Sequence, residues 1–291
     1  KMFREDTVKI APNVKFHFLD GRQPSNKRLS FSVSDIFISL VDNFQETFGL
    51  TPLEGMAAGL PVIVSDWDGY RDTVRDGIDG YRIPSATMKP GNGYNYYERY
   101  YLGLDTYDHY IGRTSQTVSI NIVECIEKIK LLASDKDLRI KLGKNAKKRA
   151  QDYEWSKIID SYKLLKSELD AKRDFSVKDN EKFLKPIRIQ DPYAFFNDYA
   201  SFKIDKNTIV SGCEDINNID LDDFIEFESV SFLNNITPNR AILNDLLNYI
   251  NHSGEVLLID LIKETKLEEF IAYQSILWLS KYGYINIRDN N

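Results

Sequence analysis

Two nearly unbroken apolar runs, at residues 35–41 and 60–64, dominate the hydrophobic pattern of the chain. Runs that do not alternate are typical of strands buried on both faces of a parallel sheet. Between them the pattern predicts a short helix with Thr51 as its N-cap and Glu54 as its capping-box partner, and Gly59 is placed to end it. The order strand, helix, strand predicts an α/β domain with a Rossmann-like parallel sheet.

The start of this helix is a candidate ligand site. It follows the carboxyl end of a strand, where open α/β sheets bind their ligands, and free amides at a helix N-terminus suit a phosphate. Glu46 and Glu54 stand on either side of this turn, and their carboxylates can accept hydrogen bonds from sugar hydroxyls. The arrangement is suited to gripping a sugar nucleotide.

The next part of the chain changes from irregular to helical. Residues 85–117 are crowded with tyrosines, which suits either a long loop packed by its own side chains or a surface for sugar stacking or protein contact. We favour the loop. After it, one apolar face predicts a helix from about Ile120, a second helix capped by Ser134 runs to about Tyr153, and a third begins at Trp155.

The rest of the chain predicts a smaller α+β unit with its own core. Residues 169–182 are charged and broken, so we interpret them as a linker. Residues 183–239 form a β-containing connector whose short alternating runs, at 202–205 and 207–210, can make a hairpin. Residues 240–291 have the order helix, strand, two helices, strand, which resembles a winged-helix module.

The central stretch also carries a family resemblance. Glu46-Thr-Phe-Gly-Leu-Thr-Pro-Leu-Glu54, followed by Gly55-Met-Ala-Ala-Gly-Leu-Pro-Val-Ile-Val-Ser-Asp66, resembles the C-terminal half of retaining glycosyltransferases with the GT-B fold, in family 4 of the sequence-based classification. The resemblance covers roughly residues 10–168. It implies that residues 1–168 form the sugar-nucleotide-binding domain.

The resemblance implies a role for each residue of the central turn. Glu46 would act as the catalytic residue by contacting the donor hexose, and Glu54 would accept hydrogen bonds from the ribose. A solvated turn and a helix cap are the structural alternatives for these two carboxylates. The donor-binding residues implied in this way are Glu46, Thr47, Phe48, Gly49, Leu50, Thr51 and Glu54.

The implied reaction moves a hexose from a nucleoside-diphosphate sugar to a glycan or lipid-linked acceptor, with no cofactor and no metal. The family places its acceptor domain before the donor domain, and this chain starts too late to contain it. We therefore expect a C-terminal fragment or one subunit of a split enzyme, inactive alone. The alternative is a non-catalytic partner or scaffold that keeps the fold for assembly or regulation.

Composition narrows the expected partners. A net charge of −6 argues against a general nucleic-acid or anionic-membrane surface. Residues 240–291 hold five basic and seven acidic side chains, so we expect that module to bind protein or self-associate, and not to bind nucleic acid. Cys125 and Cys213 lack a pairing pattern, and no run reaches the ~20 apolar residues of a membrane span. These features predict a cytoplasmic protein.

A metal site is not expected. Residues 66–68 form an Asp-Trp-Asp motif, which matches the metal-binding signature of a different glycosyltransferase fold. The donor site is explained without a metal, however, and this motif ends a strand. The histidines, His17, His109 and His252, have no partner at a useful metal-ligand spacing.

Overall fold

The computed structural model of the chain describes residues 2–176, 191–213, 218–231 and 236–290. These residues form a mixed α/β structure, as predicted. The strands are β1 (Phe37–Ser39), β2 (Val62–Ser65), β3 (Gly80–Ile83), β4 (Ser85–Met88), β5 (Ser119–Ile120), β6 (Phe202–Ile204), β7 (Ile209–Gly212), β8 (Val256–Leu257) and β9 (Ile285–Arg288).

The α-helices are α1 (Met2–Ile10), α2 (Pro24–Val33), α3 (Leu50–Ala58), α4 (Tyr70–Thr73), α5 (Tyr94–Tyr101), α6 (Tyr107–Ser115), α7 (Ile122–Ser134), α8 (Lys136–Ala150), α9 (Trp155–Ser176), α10 (Pro192–Phe195), α11 (Leu221–Ile225), α12 (Glu228–Ser231), α13 (Arg240–Ser253), α14 (Leu258–Thr265) and α15 (Glu269–Lys281). A short 3₁₀ turn, Gln151–Tyr153, joins α8 to α9. None of the helices in these ranges has the length and apolarity needed to cross a membrane.

The predicted parallel sheet is formed by β1, β2 and β3, in that order. Val62 and Val64 of β2 pack against α3, while Ile63 packs on the opposite face with residues of α7 and α8. β2 is therefore buried on both faces, as the pattern indicates. The same expectation is wrong for residues 35–41, because β1 lies at one edge of this sheet and the Ile38 side chain is 44% exposed.

Helix α3 begins at Leu50, earlier than the pattern predicts. Its N-cap is Gly49, which has a φ of 74°, and no side chain caps the helix. The capping box of Thr51 and Glu54 is therefore not formed. The physical reason lies in Tyr70, whose ring packs so closely on Gly49 that only glycine fits there. Gly59 ends the helix as predicted, with a φ of 88°.

Two further local predictions are wrong. Residues 85–117 are not a loop but a strand followed by α5 and α6, because tyrosines at helical spacing bury Tyr96 and Tyr110 in the core. The alternating pattern of residues 14–19, around His17, predicts a strand, but these residues are exposed and irregular. All three helices predicted after residue 117 form, but the N-cap of the second is Asp135 and not Ser134.

The hairpin predicted for residues 202–205 and 207–210 does not form, because its two strands belong to different sheets. β6 pairs in parallel with β4, which also pairs with β5, whereas β7 lies between β8 and β9 in an antiparallel sheet. Residues 202–205 and 207–210 thus enter different sheets and do not pair with each other. A tight turn separates them, in which Thr208 N–H donates to the Asp205 carbonyl at 3.0 Å.

The C-terminal elements α13, β8, α14, α15 and β9 appear in the predicted order; the likeness to a winged-helix module stays a prediction. The linker prediction is wrong in its first part, because α9 continues to Ser176, and residues 177–182 lie outside the described residues.

The expectation of two separate cores is also wrong. One hydrophobic cluster joins side chains from both sides of the predicted linker, including Phe44, Trp67 and Met88 before it and Tyr193 and Trp278 after it. Strand β6, which follows the predicted linker, also joins the two parts of the chain because it pairs with β4. The domain boundaries themselves remain a prediction, but the packing makes the two parts depend on each other.

Candidate functional site

A cleft of about 660 Å³ opens beside the start of α3. It brings together five of the seven predicted donor-binding residues, which come from the loop after β1 and from the first helical position. A second wall comes from α9 and from the 3₁₀ turn that precedes it. The lining residues are Glu46, Thr47, Phe48, Gly49, Leu50, Leu53, Tyr153, Trp155, Ile158 and Tyr162. We call this space the Glu46 cleft.

The Glu46 side chain is half-buried and supplies a carboxylate to the lining of this cleft. Its Oε1 atom accepts a hydrogen bond from Phe48 N–H at 3.4 Å, which holds the carboxylate against its own turn. Below it, the buried Tyr70 hydroxyl lies 3.3 Å from Ser39 Oγ. Burial raises the pKa of Tyr70, and the nearby Glu46 carboxylate raises it further. Tyr70 is therefore a neutral phenol that supports the floor of the site.

The aromatic wall of the Glu46 cleft is fixed at one end and open at the other. Tyr153 donates its hydroxyl to the Asp72 carbonyl at 2.7 Å and accepts from Arg149 Nη2 at 2.9 Å. Burial raises the pKa of Tyr153, so this donor stays protonated. Trp155 is 74% exposed at the mouth of the cleft. A wall of this kind can stack against a sugar ring.

These wall residues are not among the sequence-predicted site residues. The available signal was the apolar face of the third predicted helix, which holds Trp155, Ile158 and Tyr162. A hydrophobic stripe predicts a helix but does not tell which other part of the chain that stripe contacts. Only the fold shows that it closes one side of the Glu46 cleft.

Thr51 and Glu54 line a different cleft, of about 530 Å³, between α2 and α3. The Lys27 ammonium lies 2.5 Å from Glu54 Oε1, and both side chains are partly exposed. His17 and Asn26 lie on the other side of the same space, which we call the Glu54 cleft. The structure thus does not bring all seven predicted residues into one pocket, and it adds Lys27, which is not among the predicted site residues.

The two clefts border adjacent faces of the first turn of α3. Leu50 and Leu53 face the Glu46 cleft, while Thr51 and Glu54 face the Glu54 cleft. Each pair is three residues apart, the spacing that places side chains on one face of a helix. The N-terminus of α3 lies between them, at the end where an α-helix has backbone amides without intrahelical partners and the positive end of its dipole. An elongated ligand with a central anionic group fits this arrangement.

The Asp-Trp-Asp motif lies outside both clefts. Asp66 Oδ1 is 3.1 Å from Arg71 Nε and 3.4 Å from Arg82 Nε, and Ser201 Oγ donates to Asp66 Oδ2 at 2.7 Å. This carboxylate is already balanced by two guanidinium groups. Among the described ranges, no three His, Cys, Asp or Glu side chains are grouped so as to hold a metal ion. The absence of a metal from the reaction stays a prediction.

Comparison with known proteins places a family match on this region. Residues 5–89 match the family model for "Glycosyl transferases group 1", and this span includes Glu46, Glu54 and both sides of the α3 turn.

Two curated proteins are also similar to parts of the chain. A sulfoquinovosyl transferase of Arabidopsis thaliana is 22% identical over 153 residues, which cover 53% of this chain and 24% of that protein. A phosphatidyl-myo-inositol mannosyltransferase of Mycobacterium leprae (strain TN) is 48% identical over 41 residues, covering 14% of this chain and 11% of that protein. The chain thus corresponds to a part of each relative.

Proposed function

We propose that this chain supplies the donor-binding half of a retaining glycosyltransferase of the GT-B type. The enzyme transfers a hexose from a nucleoside-diphosphate sugar to a glycan or lipid-linked acceptor. The observation that carries the proposal is the family match over residues 5–89, which falls on the one helix start bordered by both Glu46 and Glu54. We propose that this chain does not transfer sugar alone and acts together with an acceptor-binding half.

The donor lies across the first turn of α3 in this proposal. The hexose occupies the Glu46 cleft, where the carboxylate accepts from its hydroxyls and the aromatic wall contacts its ring. The ribose occupies the Glu54 cleft, and the diphosphate sits between them at the helix N-terminus. A nucleotide sugar has its charge in the middle and its hydroxyls at both ends, and the two clefts offer complementary groups in the same order.

The same geometry supports the chemistry of transfer. The bond from the anomeric carbon to the diphosphate breaks, and a bond to an acceptor hydroxyl forms on the same face of the sugar. Negative charge grows on the departing diphosphate, where fixed amide dipoles act without reorganisation. Glu46 orients the hexose and Tyr70 supports the loop that carries it.

The two relatives support a sugar-transfer reaction but leave the sugar open. One is named for sulfoquinovosyl transfer and the other for mannosyl transfer, and the second name includes phosphatidyl-myo-inositol. We therefore propose a hexose donor as a class, with a glycan or lipid-linked acceptor.

Binding of the donor tests the proposal without requiring turnover. The purified chain is titrated calorimetrically with UDP-glucose, GDP-mannose, UDP and GDP. We expect one base to be preferred and its nucleotide sugar to bind within about 1 mM, the upper range of typical KM values. If the folded chain binds none of the four at that concentration, the proposal is wrong.

A non-catalytic, glycosyltransferase-like partner is the second candidate. The observation that favours it is the ion pair between Lys27 and Glu54. In this pair Lys27 binds the carboxylate that we propose for the ribose. Both groups are partly exposed, so a ligand can displace the pair at little cost. Donor-dependent transfer by the full-length protein would reject this candidate, whereas donor binding without transfer would favour it.

A further inference from the structure

The loop between β1 and α3 is tied to the C-terminal part of the chain by a lysine at the end of α15. Residues 40–49 form this loop in an irregular conformation, so its shape depends on contacts with other parts of the structure. The Lys281 ammonium forms an ion pair with Asp42 Oδ2 in the loop. It also donates to the Ser115 carbonyl at 3.1 Å and to the Val118 carbonyl at 3.4 Å. One ammonium therefore joins the loop, the end of α6 and the chain that leads into β5.

This ion pair is largely shielded from water. The Lys281 side chain is 12% exposed and the Asp42 side chain is 32% exposed. An ammonium has three N–H donors, and its three acceptors here use all of them. Salt screens such a pair less than it screens a surface pair, and removing one partner is costly because the other charge stays partly buried. The pair therefore constrains Asp42 more strongly than a surface ion pair would.

The lysine itself is held in place by the core. It is the last residue of α15, whose final turn includes the fully buried Leu277 and Trp278. Beside it, Ser280 Oγ lies 2.8 Å from Ser119 Oγ of β5, and both of these serines are buried. With its backbone fixed against β5 and its ammonium bound by three acceptors, Lys281 has little freedom to move.

A short turn transmits the position of Asp42 to Glu46. Glu46 N–H donates to the Asn43 carbonyl at 3.4 Å, which closes a turn of four residues. The Asn43 Oδ1 atom also accepts from Gln45 N–H at 3.1 Å. Both hydrogen bonds of the turn thus involve Asn43, the residue that follows Asp42. A shift of Asp42 should therefore move the backbone that carries the Glu46 carboxylate.

We propose that Lys281 is a positioning residue for the donor sugar. It fixes Asp42, and through the turn at Asn43 it holds the Glu46 carboxylate where the hexose hydroxyls reach it. The described residues that line the Glu46 cleft do not include Lys281, so its effect is indirect. Hydrogen bonds weaken steeply with distance and angle, so a displaced carboxylate loses most of its contribution. The inference rests on the proposed function and adds to it a residue from the far end of the chain.

A double-mutant cycle between Lys281 and Glu46 tests this inference. The purified full chain, Lys281→Met, Glu46→Gln and the double variant are titrated calorimetrically with UDP-glucose or GDP-mannose, whichever binds the unmodified chain more tightly. In the unmodified background, Glu46→Gln should weaken binding of that nucleotide sugar by about tenfold. In the Lys281→Met background the same substitution should weaken it by less than about threefold, because a displaced carboxylate has little contact left to lose.

Free UDP or GDP separates positioning from a general loss of structure. Lys281→Met should bind the free nucleotide as tightly as the unmodified chain does and should bind the nucleotide sugar more weakly. Melting temperatures check that each variant is folded. Asp42→Asn breaks the same ion pair with almost no change in shape, and it takes the place of Lys281→Met in the cycle if that variant does not fold. Lys263→Met is the control, because Lys263 pairs with Asp260 at 3.5 Å on the exposed side of α14 and its loss should affect neither ligand.

Each failure has its own signature. If Glu46→Gln has no effect in the unmodified background, the hexose assignment is wrong and the inference falls with it. If Glu46→Gln weakens sugar binding equally in both backgrounds, the proposed function stands and Lys281 does not position Glu46. Equal weakening of the free nucleotide and the nucleotide sugar by Lys281→Met or Asp42→Asn would show a structural role and also overturn the inference.

Discussion

Phe44 and Phe196 stack with their ring centroids 4.9 Å apart and their planes inclined by 14°, although they lie on opposite sides of the predicted linker. Phe44 also contacts Trp67, Tyr193 and Tyr199. It precedes Glu46 by two positions in the loop after β1. The loop that carries the proposed hexose contact is therefore anchored by the C-terminal part of the chain.

Phe44→Ala should destabilise the protein by about 3–5 kcal/mol, because it leaves a cavity in the aromatic cluster. Urea unfolding measures the loss. Phe3→Ala is the matched control, since Phe3 is 61% exposed and its removal should change the stability little. A loss below about 1 kcal/mol for Phe44→Ala would mean that the two parts of the chain are not coupled through this ring.

A chain that ends after Ser176 should fail to fold cooperatively. It loses β6, the parallel neighbour of β4, and the partners of Phe44. We expect exposed apolar surface, seen as dye binding and loss of the near-ultraviolet circular dichroism signal. The full chain treated identically is the control. A truncated chain with a sharp thermal transition and intact near-ultraviolet signal would instead support two independent cores.

Gly49→Ala should cost at least about 2 kcal/mol. Part of the cost is the positive φ of 74°, of order 1 kcal/mol, and the rest is the clash of a Cβ with the Tyr70 ring, which would lie only 1.9 Å away. Gly77→Ala separates the two terms, because Gly77 has a φ of 67° and nothing within 4 Å. Equal losses for the two variants in urea unfolding would show that Tyr70 moves aside freely.

Glu54→Gln should weaken nucleoside-diphosphate binding by roughly ten- to hundredfold, since a hydrogen bond to a charged group contributes roughly 1.5–3 kcal/mol. Glu46→Gln should spare the free nucleotide and weaken only the intact nucleotide sugar. Because Glu54 does not cap α3, its substitution should leave helix stability almost unchanged.

Calorimetry with each nucleotide and its sugar conjugate checks both effects. Glu127→Gln, on the exposed side of α7, serves as the control. If Glu46→Gln weakens the nucleotide and its sugar conjugate equally, the assignment of the hexose to the Glu46 cleft is wrong.

Asp105→Asn should remove part of the acid sensitivity of the fold. Hydrogen bonds from Arg99 and Arg113 lower the folded pKa of Asp105 to about 2, below its ordinary value of 3.8. The carboxylate therefore contributes stability above pH 3.8, and this contribution is lost as the pH falls toward 2. The variant should be less stable at neutral pH and should lose less stability over that acid range.

Urea midpoints measured from neutral pH down to pH 2 give the comparison. Asp245→Asn, at an exposed position of α13, is the control and should follow the unmodified profile. Parallel curves for Asp105→Asn and the unmodified chain would show that this carboxylate does not set the acid limit.

The parts of the fold that could be predicted are those in which a local sequence pattern determines the structure. The continuous apolar run predicts the buried strand β2, and Gly59 predicts the end of α3, because a left-handed terminal residue favours glycine. The apolar faces of the later helices also predict their existence and order. Their exact starts depend on competition between neighbouring caps, as Ser134 and Asp135 illustrate.

The parts that could not be predicted are those in which a residue distant in the sequence determines the local structure. Thr51 and Glu54 have the spacing of a capping box, yet Tyr70 packs on Gly49 and moves the helix start. β6 and β7 are close in sequence, but the alternation of apolar and polar residues along each strand does not tell which strand it pairs with. Five residues of the Glu46 cleft come from one predicted turn, whereas its aromatic wall comes from Tyr153 and α9, more than a hundred residues away.

The position of β4 between its two neighbours determines when this sheet can be completed during synthesis. β5 is available once residue 120 has left the ribosome, but the other edge of β4 stays open until residue 204 emerges. An open apolar edge is a template for pairing with other chains. Translation stalled between these two points would therefore expose a half-built sheet, and prompt completion of the chain protects the protein from aggregation.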